Sequence, residues 1–423
     1  MSHVQLQSLF AGLAAILLLS RVLALAARKV GQPPVVGEIL AGILLGPTLL
    51  HGDIASWLLP RDVRPMLTAF ADLGLVLFLF VVGYELDLGR LRGSGAVTGH
   101  VAVGSLVVPF CGGVLLALAL TELDGGGRHG VRVLFLGTAM AATALPVLAR
   151  ILDDHGMHRT RIGGIALTAA AAGDVVVWGL LALTVTLSGG ADQWHILLTP
   201  GYLALLVWGV RPLLRRILGR EPGAGSAPGR LAAVTVGLLL SAWAAEWLGL
   251  HFIFGAFLFG VVMPRDADVR LSVVDSTEQV GRLLLPVFFV VSGLAVDLTG
   301  IGGRRLLELL LIVAVAATSK FGGVYLAARL RGLPRRQAAT LGTLMNTRGL
   351  TEIVIVLVGY QLGIIDASLY SMMVVMALVT TAMTGPLLRR LRSLEDEPRP
   401  PRHLRAEPDR SSSPHGQARL HGA

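Results

Sequence analysis

This chain of 423 residues is 54% hydrophobic and only 15% charged, a composition that excludes a large soluble domain and indicates many membrane-spanning segments. Its formal net charge of +9 comes from arginines grouped in short connections between apolar runs, where basic residues orient a membrane protein, so we do not infer nucleic-acid binding. The single cysteine, Cys111, excludes a disulfide framework and a cysteine-based metal site.

About thirteen apolar segments follow one another along the chain, and their length and composition predict membrane helices. Their approximate limits are 5–27, 34–50, 66–85, 96–120, 131–151, 162–187, 196–217, 231–248, 252–263, 280–296, 306–330, 337–362 and 369–388. We therefore expect an all-α polytopic membrane protein whose transmembrane domain occupies residues 1–392. Residues 393–423 are rich in Pro, Ser, Arg and Glu without an apolar period, which is typical of a disordered cytoplasmic tail.

The arginines are distributed unequally between alternate connections, and this distribution predicts the orientation of the chain. With the N-terminus outside, most basic residues fall in the cytoplasm, at 28–29, 90–92, 150–161, 211–230, 265–282 and 329–336. The outer side keeps the arginines at 61, 64, 128, 132, 304 and 305. The sequence thus predicts a multi-pass protein of the cell membrane with an extracellular N-terminus and a cytoplasmic C-terminus.

The fifth and twelfth segments are each interrupted by residues that disfavour a continuous helix. The fifth contains Thr143 and Pro146, and a proline removes a backbone donor and clashes with the preceding turn. The twelfth contains the polar cluster Asn346, Thr347 and Arg348. Broken helices inside a membrane are tolerated only where protein or water satisfies the exposed backbone groups. A simple kink is the alternative for Pro146, but a pair of breaks in corresponding positions indicates a binding site.

Asp174 stands alone in the sixth segment, where no other ionisable residue occurs from Gly163 to Gly190. A carboxylate near the middle of a membrane helix costs roughly 2.5–3.5 kcal/mol on insertion scales. It is therefore expected to face the protein interior or a water-filled cavity. It is either an inert structural carboxylate or a site for a proton or a cation, and acids at this depth usually mark ion or proton pathways.

Lys320 is one of only two lysines in a chain that otherwise uses arginine, and it lies inside the apolar eleventh segment. Lysine can lose its proton when it is desolvated, whereas arginine effectively cannot. Lys320 is thus a second candidate site residue. It either offsets the charge of Asp174 in one state or braces the broken helices.

The two halves of the chain resemble each other in three places, in the same order. Residues 38–47 match 256–265, residues 77–88 match 287–298 with Asp87 opposite Asp297, and residues 136–140 match 341–345. With the seventh segment as a linker, repeats at about 1–190 and 230–392 each contain six helices, and the second is inverted relative to the first. Inverted repeats are the architecture of secondary transporters, whose site lies between the repeats at the midplane.

Several motifs resemble those of the monovalent cation:proton antiporter family, in particular its potassium-efflux and sodium/proton exchanger branch. The motifs are PPVVGEILAGILLGP, TALPVLARIL, AAAAGDVVVW, HFIFGAFLFGVVMPR and NTRGLTEIVIV. The resemblance implies a homodimer, two crossed broken helices and an elevator-like alternating access. Carried over by position, it implies that Asp174 binds the ion and that Lys320 is the embedded basic residue. It places the broken helices at Thr143, Pro146, Asn346, Thr347 and Arg348.

The predicted function is exchange of a monovalent cation, K⁺ or Na⁺, for protons, with Asp174 as the transient cation ligand. We expect no enzymatic activity and no cofactor, because the sequence carries no motif for either. A sodium-coupled solute symporter of the same fold is the alternative. Electrogenic members of the family have two adjacent acids, and others have Asn or Gln before the aspartate. Here Gly173 precedes Asp174, and a single acid predicts electroneutral exchange. Glu352 follows Arg348 by four residues and is predicted to neutralise it.

Overall fold

The computed structural model describes residues 2–48, 57–86, 95–121, 129–158, 160–188, 198–218, 227–265, 269–299 and 302–393. Throughout these ranges the regular secondary structure is helical. Asp87, which belongs to one of the predicted repeat matches, lies outside the described ranges. Residues 394–423, which form nearly all of the predicted tail, also lie outside them.

The first half of the chain forms helices that match its six apolar segments. They are α1 (His3–Lys29), α2 (Pro34–Leu45), α3 (Arg64–Glu85), α4 (Ala96–Thr121), α5 (His129–Ala141), α6 (Leu145–Asp154) and α7 (Arg161–Leu187). The seventh segment contains α8 (Thr199–Ala204), a wider π-helical stretch (Leu205–Val210) and α9 (Arg211–Leu218).

The second half repeats this pattern. Its helices are α10 (Ala227–Trp247), α11 (Phe252–Val262), α12 (Asp275–Leu294), α13 (Gly303–Leu330), α14 (Arg335–Met345), α15 (Leu350–Gln361) and α16 (Ala367–Ser393).

The helices have the lengths that a bilayer requires. Within the described ranges, eight helical stretches are long and apolar enough to cross a membrane, with α5 and α6 counted together as one. The pair α14–α15 meets the same criteria when it is taken as one span, with a bend of 43° at its break, and α2 and α11 are shorter apolar helices. Together with α8–α9 and α10, each predicted apolar segment corresponds to one helical stretch. The prediction of an all-α polytopic membrane protein is confirmed.

The internal repeat is visible in two close helix crossings. Gly42 of α2 packs against α12, where an added Cβ would lie 2.7 Å from the Cα of Gly293. Gly260 of α11 packs against α3 near Gly83, where an added Cβ would lie 2.8 Å from the backbone nitrogen of Tyr84. The sequence repeat aligns Gly42 with Gly260 and Gly83 with Gly293. The same glycine-mediated contact is therefore made twice, once by the short helix of each half.

Helix packing divides the described residues into two groups. The core group contains α4–α7 and α13–α16, with α4 packed along α13 and with α7 against α5, α6 and α14. The scaffold group contains α1–α3 and α10–α12, with α12 packed along α3. The most extensive helix–helix packing lies within these groups and not between them. The described helices therefore fall into two packing groups, and both broken helices belong to the core group.

Candidate functional site

The two broken helices touch each other at their breaks. One break separates the end of α5 at Ala141 from the start of α6 at Leu145, and the other separates α14 from α15. The backbone N–H of Ala144 in the first break donates to the backbone oxygen of Thr347 in the second, at 3.2 Å. Each break thus satisfies a backbone group of the other, as unpaired groups inside a membrane require.

Pro146 has a different position from the one that the sequence suggested. It lies in the first turn of α6 and not in the interruption itself, which comprises Ala142, Thr143 and Ala144. A proline in the first helical turn leaves no intrahelical donor unsatisfied. Its ring would clash with the carbonyl four residues earlier, on Ala142, so a helix arriving from α5 must end before that residue. Pro146 is therefore accommodated at the start of the second half-helix, where it prevents the first one from continuing.

Two buried cations cover the carboxyl end of α5. Lys320 from α13 donates its Nζ protons to the backbone oxygens of Ala141 at 2.6 Å and Ser105 at 2.9 Å. Arg348 from the second break donates to the backbone oxygen of Met140 at 2.9 Å. Both side chains have no exposed surface. The last carbonyls of a helix lack intrahelical partners and carry a partial negative charge, so cations at this end stabilise the half-helix.

Arg348 is also held by its own neighbours. Its Nη1 contacts Oε1 of Glu352 at 2.5 Å, and the prediction that Glu352 neutralises this arginine is confirmed. The hydroxyl of Thr381 in α16 accepts from the backbone N–H of Arg348 and donates to its carbonyl oxygen. The second break is therefore fixed to α5 by one charged side chain and to α16 by one hydroxyl.

Asp174 differs from these residues because its charge has no hydrogen-bond partner. The side chain is 2% exposed, and neither carboxylate oxygen accepts a hydrogen bond from a described residue. Its helix, α7, packs against half-helices of both broken pairs. A buried ionised carboxylate is very unfavourable unless something neutralises it. Asp174 is thus positioned to take up a proton or a desolvated cation.

Asn346 supplies another free acceptor in the second break. Its side chain is 4% exposed, and Oδ1 has no hydrogen-bond partner among the described residues. Thr347, beside it, is fully buried, but its hydroxyl donates to the carbonyl of Leu344 at 2.8 Å. Of these two polar residues, only Asn346 has a side-chain oxygen without any hydrogen bond to a described residue.

Gly173 leaves space beside Asp174. A Cβ added at Gly173 would meet only Leu106, at an ordinary contact distance of 3.7 Å. The backbone at position 173 therefore has room for a β-carbon.

Sequence reasoning did not identify the hydrogen-bond acceptors of Lys320 and Arg348. Ser105 and the carbonyls of Ala139, Met140 and Ala141 act through the backbone, which leaves no trace in side-chain type. The sequence gives a weak indication of a role for Thr381, because this residue belongs to a group of threonines in a mostly apolar stretch of its helix. The described residues contain no group of three or more His, Cys, Asp or Glu that could hold a metal ion.

Comparison with known families and proteins gives several matches. The family described as "Sodium/hydrogen exchanger, transmembrane" matches residues 14–391. The Na(+)/H(+) antiporter NhaS4 of Synechocystis is 35% identical over 396 residues, which cover 90% of this chain and 96% of the relative. Cation/H(+) antiporter 20 of Arabidopsis thaliana is also 35% identical, over 88% of this chain and 47% of its own length. K(+)/H(+) antiporter 1 of Saccharomyces cerevisiae is 33% identical, over 84% of this chain and 43% of its own length.

This chain therefore spans about half the length of the plant and yeast relatives and nearly all of the cyanobacterial one. Among solved structures, the sodium proton antiporter MjNhaP1 from Methanocaldococcus jannaschii aligns with a TM-score of 0.63. That alignment covers 92% of this chain and 98% of MjNhaP1, with 16% sequence identity. At this identity the likeness shows a shared fold.

Proposed function

The chain belongs to the sodium/hydrogen exchanger family, and from this membership we propose that it exchanges a monovalent cation, K⁺ or Na⁺, for protons at Asp174. The observation that carries the proposal is the buried Asp174 carboxylate, whose two oxygens have no hydrogen-bond partner among the described residues. One carboxylate holds either a proton or a cation. Competition for a site that opens alternately to the two sides is sufficient for antiport.

Coupling requires that the site crosses the membrane only when Asp174 is neutralised. A bare carboxylate resists transfer through a dry barrier, whereas a protonated or cation-bound one does not carry net charge. The division into a core group and a scaffold group supports movement of one body past the other. Asp174, Lys320 and both breaks lie on the core group, so they would move together.

The two cations at the end of α5 have a fixed role in this scheme. Arg348 is paired with Glu352, and Lys320 is bonded to two backbone oxygens. Because these groups are already satisfied within the core group, Asp174 is the charge that the ion or proton must neutralise.

We also propose that the protein is a homodimer in the cell membrane, with its N-terminus outside and its C-terminus in the cytoplasm. The distribution of arginines between alternate connections supports the orientation. The family resemblance supports the dimer. The antiporter names of the relatives support a transporter and not an enzyme.

Proton flux in reconstituted vesicles tests the proposed exchange. Adding K⁺ or Na⁺ to one side of vesicles that contain the full chain is expected to draw protons from the other side to the side of addition. Parallel additions of Li⁺ and of an impermeant organic cation measure selectivity and background leak. If K⁺, Na⁺ and Li⁺ all fail to move protons above that background, the proposed antiport is wrong.

Exchange is expected to be electroneutral, with one cation for one proton. With a single acid, the cation-loaded and the proton-loaded carriers have the same charge, so a membrane potential adds no driving force. If each cycle instead moved one net elementary charge across the membrane, the potential would contribute about 2.3 kcal/mol per 100 mV to the driving force. The measurement is whether an imposed voltage shifts the equilibrium ion gradients in vesicles. A shift equal to one charge per cycle would contradict the prediction and would indicate that a second group, such as Lys320, releases a proton.

Replacing Lys320 by arginine is expected to lower the turnover rate by roughly tenfold or more, even though the charge is kept. The Nζ of Lys320 fits between the carbonyls of Ser105 and Ala141 in a site without exposed surface, and a planar guanidinium cannot reproduce that geometry. Cation-driven proton flux across a range of pH measures the effect, with Lys29→Arg at the end of α1 as the control. An unchanged rate and pH profile in Lys320→Arg would show that any positive charge suffices.

A further inference from the structure

A lipid-facing groove lies between α4 and α13, on the outside of the core group. It has a volume of about 570 Å³, and its walls include Val103, Val108, Leu326 and Leu330. These side chains are 40–82% exposed, so the groove is open towards the surrounding membrane. An apolar groove at membrane depth has the chemistry to hold a hydrocarbon chain.

The shape of the groove follows from glycines. At its floor the helices touch, since a Cβ on Gly104 would lie 2.7 Å from Ala327 and a Cβ on Gly323 would lie 2.8 Å from Val108. Towards one end, Gly95 and Gly99 have no atom within 4 Å of the position of a Cβ. The two helices therefore make close contact at one level and leave open space at the next.

A fixed cation stands at the open end of this groove. His100 Nδ1 lies 2.8 Å from the backbone oxygen of Ala96, which makes Nδ1 the protonated nitrogen. Its Nε2 is then the acceptor for Nη2 of Arg331, at 2.6 Å. This bond holds a residue from the end of α13 against a residue of α4, across the mouth of the groove. Since a guanidinium carries five N–H donors, most of them are available to an anion.

The charge at this end is complementary to a negative headgroup. In the tautomer that these bonds require, His100 is neutral, Arg331 is positive, and none of the described residues lining the groove is acidic. The distribution of arginines places this end in the cytoplasm, where the membrane surface carries anionic lipids and attracts basic residues.

We propose that this groove binds an anionic phospholipid, with its phosphate on Arg331 and one acyl chain between α4 and α13. The groove floor adjoins the candidate functional site, because Gly104 precedes Ser105, the residue whose carbonyl accepts from Lys320. A bound lipid would therefore tighten the helix pair that positions Lys320.

Binding is tested with the purified full chain after removal of lipid, by titration with phosphatidylglycerol or with phosphatidylcholine of the same acyl chains. Native mass spectrometry counts the bound lipids. We expect the anionic lipid to bind more tightly, and Arg331→Gln to weaken its binding about fivefold, the effect of one basic residue near an anionic surface. Arg335→Gln is the matched control, since it removes the same charge four residues later, at the start of α14, whereas Arg331 is the arginine that bonds His100 in the groove wall.

A second variant tests the acyl chain without touching the charge. Gly99→Leu has room for its Cβ and fills the groove, and displacing two or more methylenes is expected to weaken binding by roughly tenfold. Gly322→Leu, on α13 but outside the groove, is its control. Thermal unfolding verifies that each variant is folded. Equal affinity for the two lipids, or unchanged phosphatidylglycerol binding in both Arg331→Gln and Gly99→Leu, would overturn the proposal. These readouts measure binding and do not depend on transport.

Discussion

Asp174→Asn is expected to abolish cation-driven proton flux, by a factor of at least a hundred, while the protein remains folded in the membrane. Asparagine has nearly the same shape as aspartate, but it neither takes up a proton nor carries the charge that attracts a cation. Because the Asp174 carboxylate is buried without a hydrogen-bond partner among the described residues, its replacement by a neutral amide does not remove a stabilising contact. The measurement is flux in vesicles with matched amounts of inserted protein.

Asp72→Asn is the matched control for this experiment. Asp72 is also an acid in an apolar helix, but it lies on α3 in the scaffold group, which packs mainly against α11 and α12. We expect Asp72→Asn to retain most of the flux. Thermal unfolding of both variants separates a loss of function from a loss of structure. Normal flux in a folded Asp174→Asn protein would refute the proposed role of this residue, including its role as the transient cation ligand.

Arg348→Met is expected to lower the free energy of unfolding by about 3–5 kcal/mol, the range measured when one partner of a buried ion pair is removed. The variant leaves Glu352 as an unpaired buried carboxylate and leaves the oxygens of Ala139 and Met140 without their donor. The double variant Arg348→Met/Glu352→Met is expected to recover part of the loss, because it no longer buries an unpaired charge. Thermal and denaturant unfolding of the purified chain measure both effects.

Arg282→Met provides the comparison at an exposed site. Arg282 pairs with Glu278 in α12 at the same four-residue spacing, but its side chain is 73% exposed. Exposed pairs of this kind contribute about 0–1 kcal/mol. If Arg348→Met destabilises the protein no more than Arg282→Met does, the buried pair does not hold the broken helices together. A double variant less stable than Arg348→Met alone would show that Glu352 has another stabilising partner.

The sequence by itself determined the helices and the existence of the breaks. Apolar runs of membrane length, separated by charged or glycine-rich connections, predicted the helical segments, because every backbone group in a bilayer must be satisfied within a helix. Asp174 was apparent because one acid among more than twenty apolar residues is costly. The pairing of Arg348 with Glu352 was predicted from their four-residue spacing, and it forms although Arg348 lies in the break before α15.

The location of the first break needed the structure, although its cause is local. The sequence suggested an interruption that includes Thr143 and Pro146, but Pro146 lies in the first turn of α6, and the break comprises residues 142–144. A proline restricts the residues before it, so the sequence shows that a helix must stop but not where the second one starts.

Only the tertiary structure shows which groups the buried side chains of Lys320 and Arg348 bind. Lys320 of α13 and Arg348 of the second break both belong to the second half, and both donate to backbone oxygens of α5 in the first half. Ala144 and Thr347 join the two breaks in the same way, through backbone atoms alone. Every residue carries the same backbone donor or acceptor, so no residue type marks such a partner. Which carbonyl meets which charge is fixed when the two repeats pack against each other.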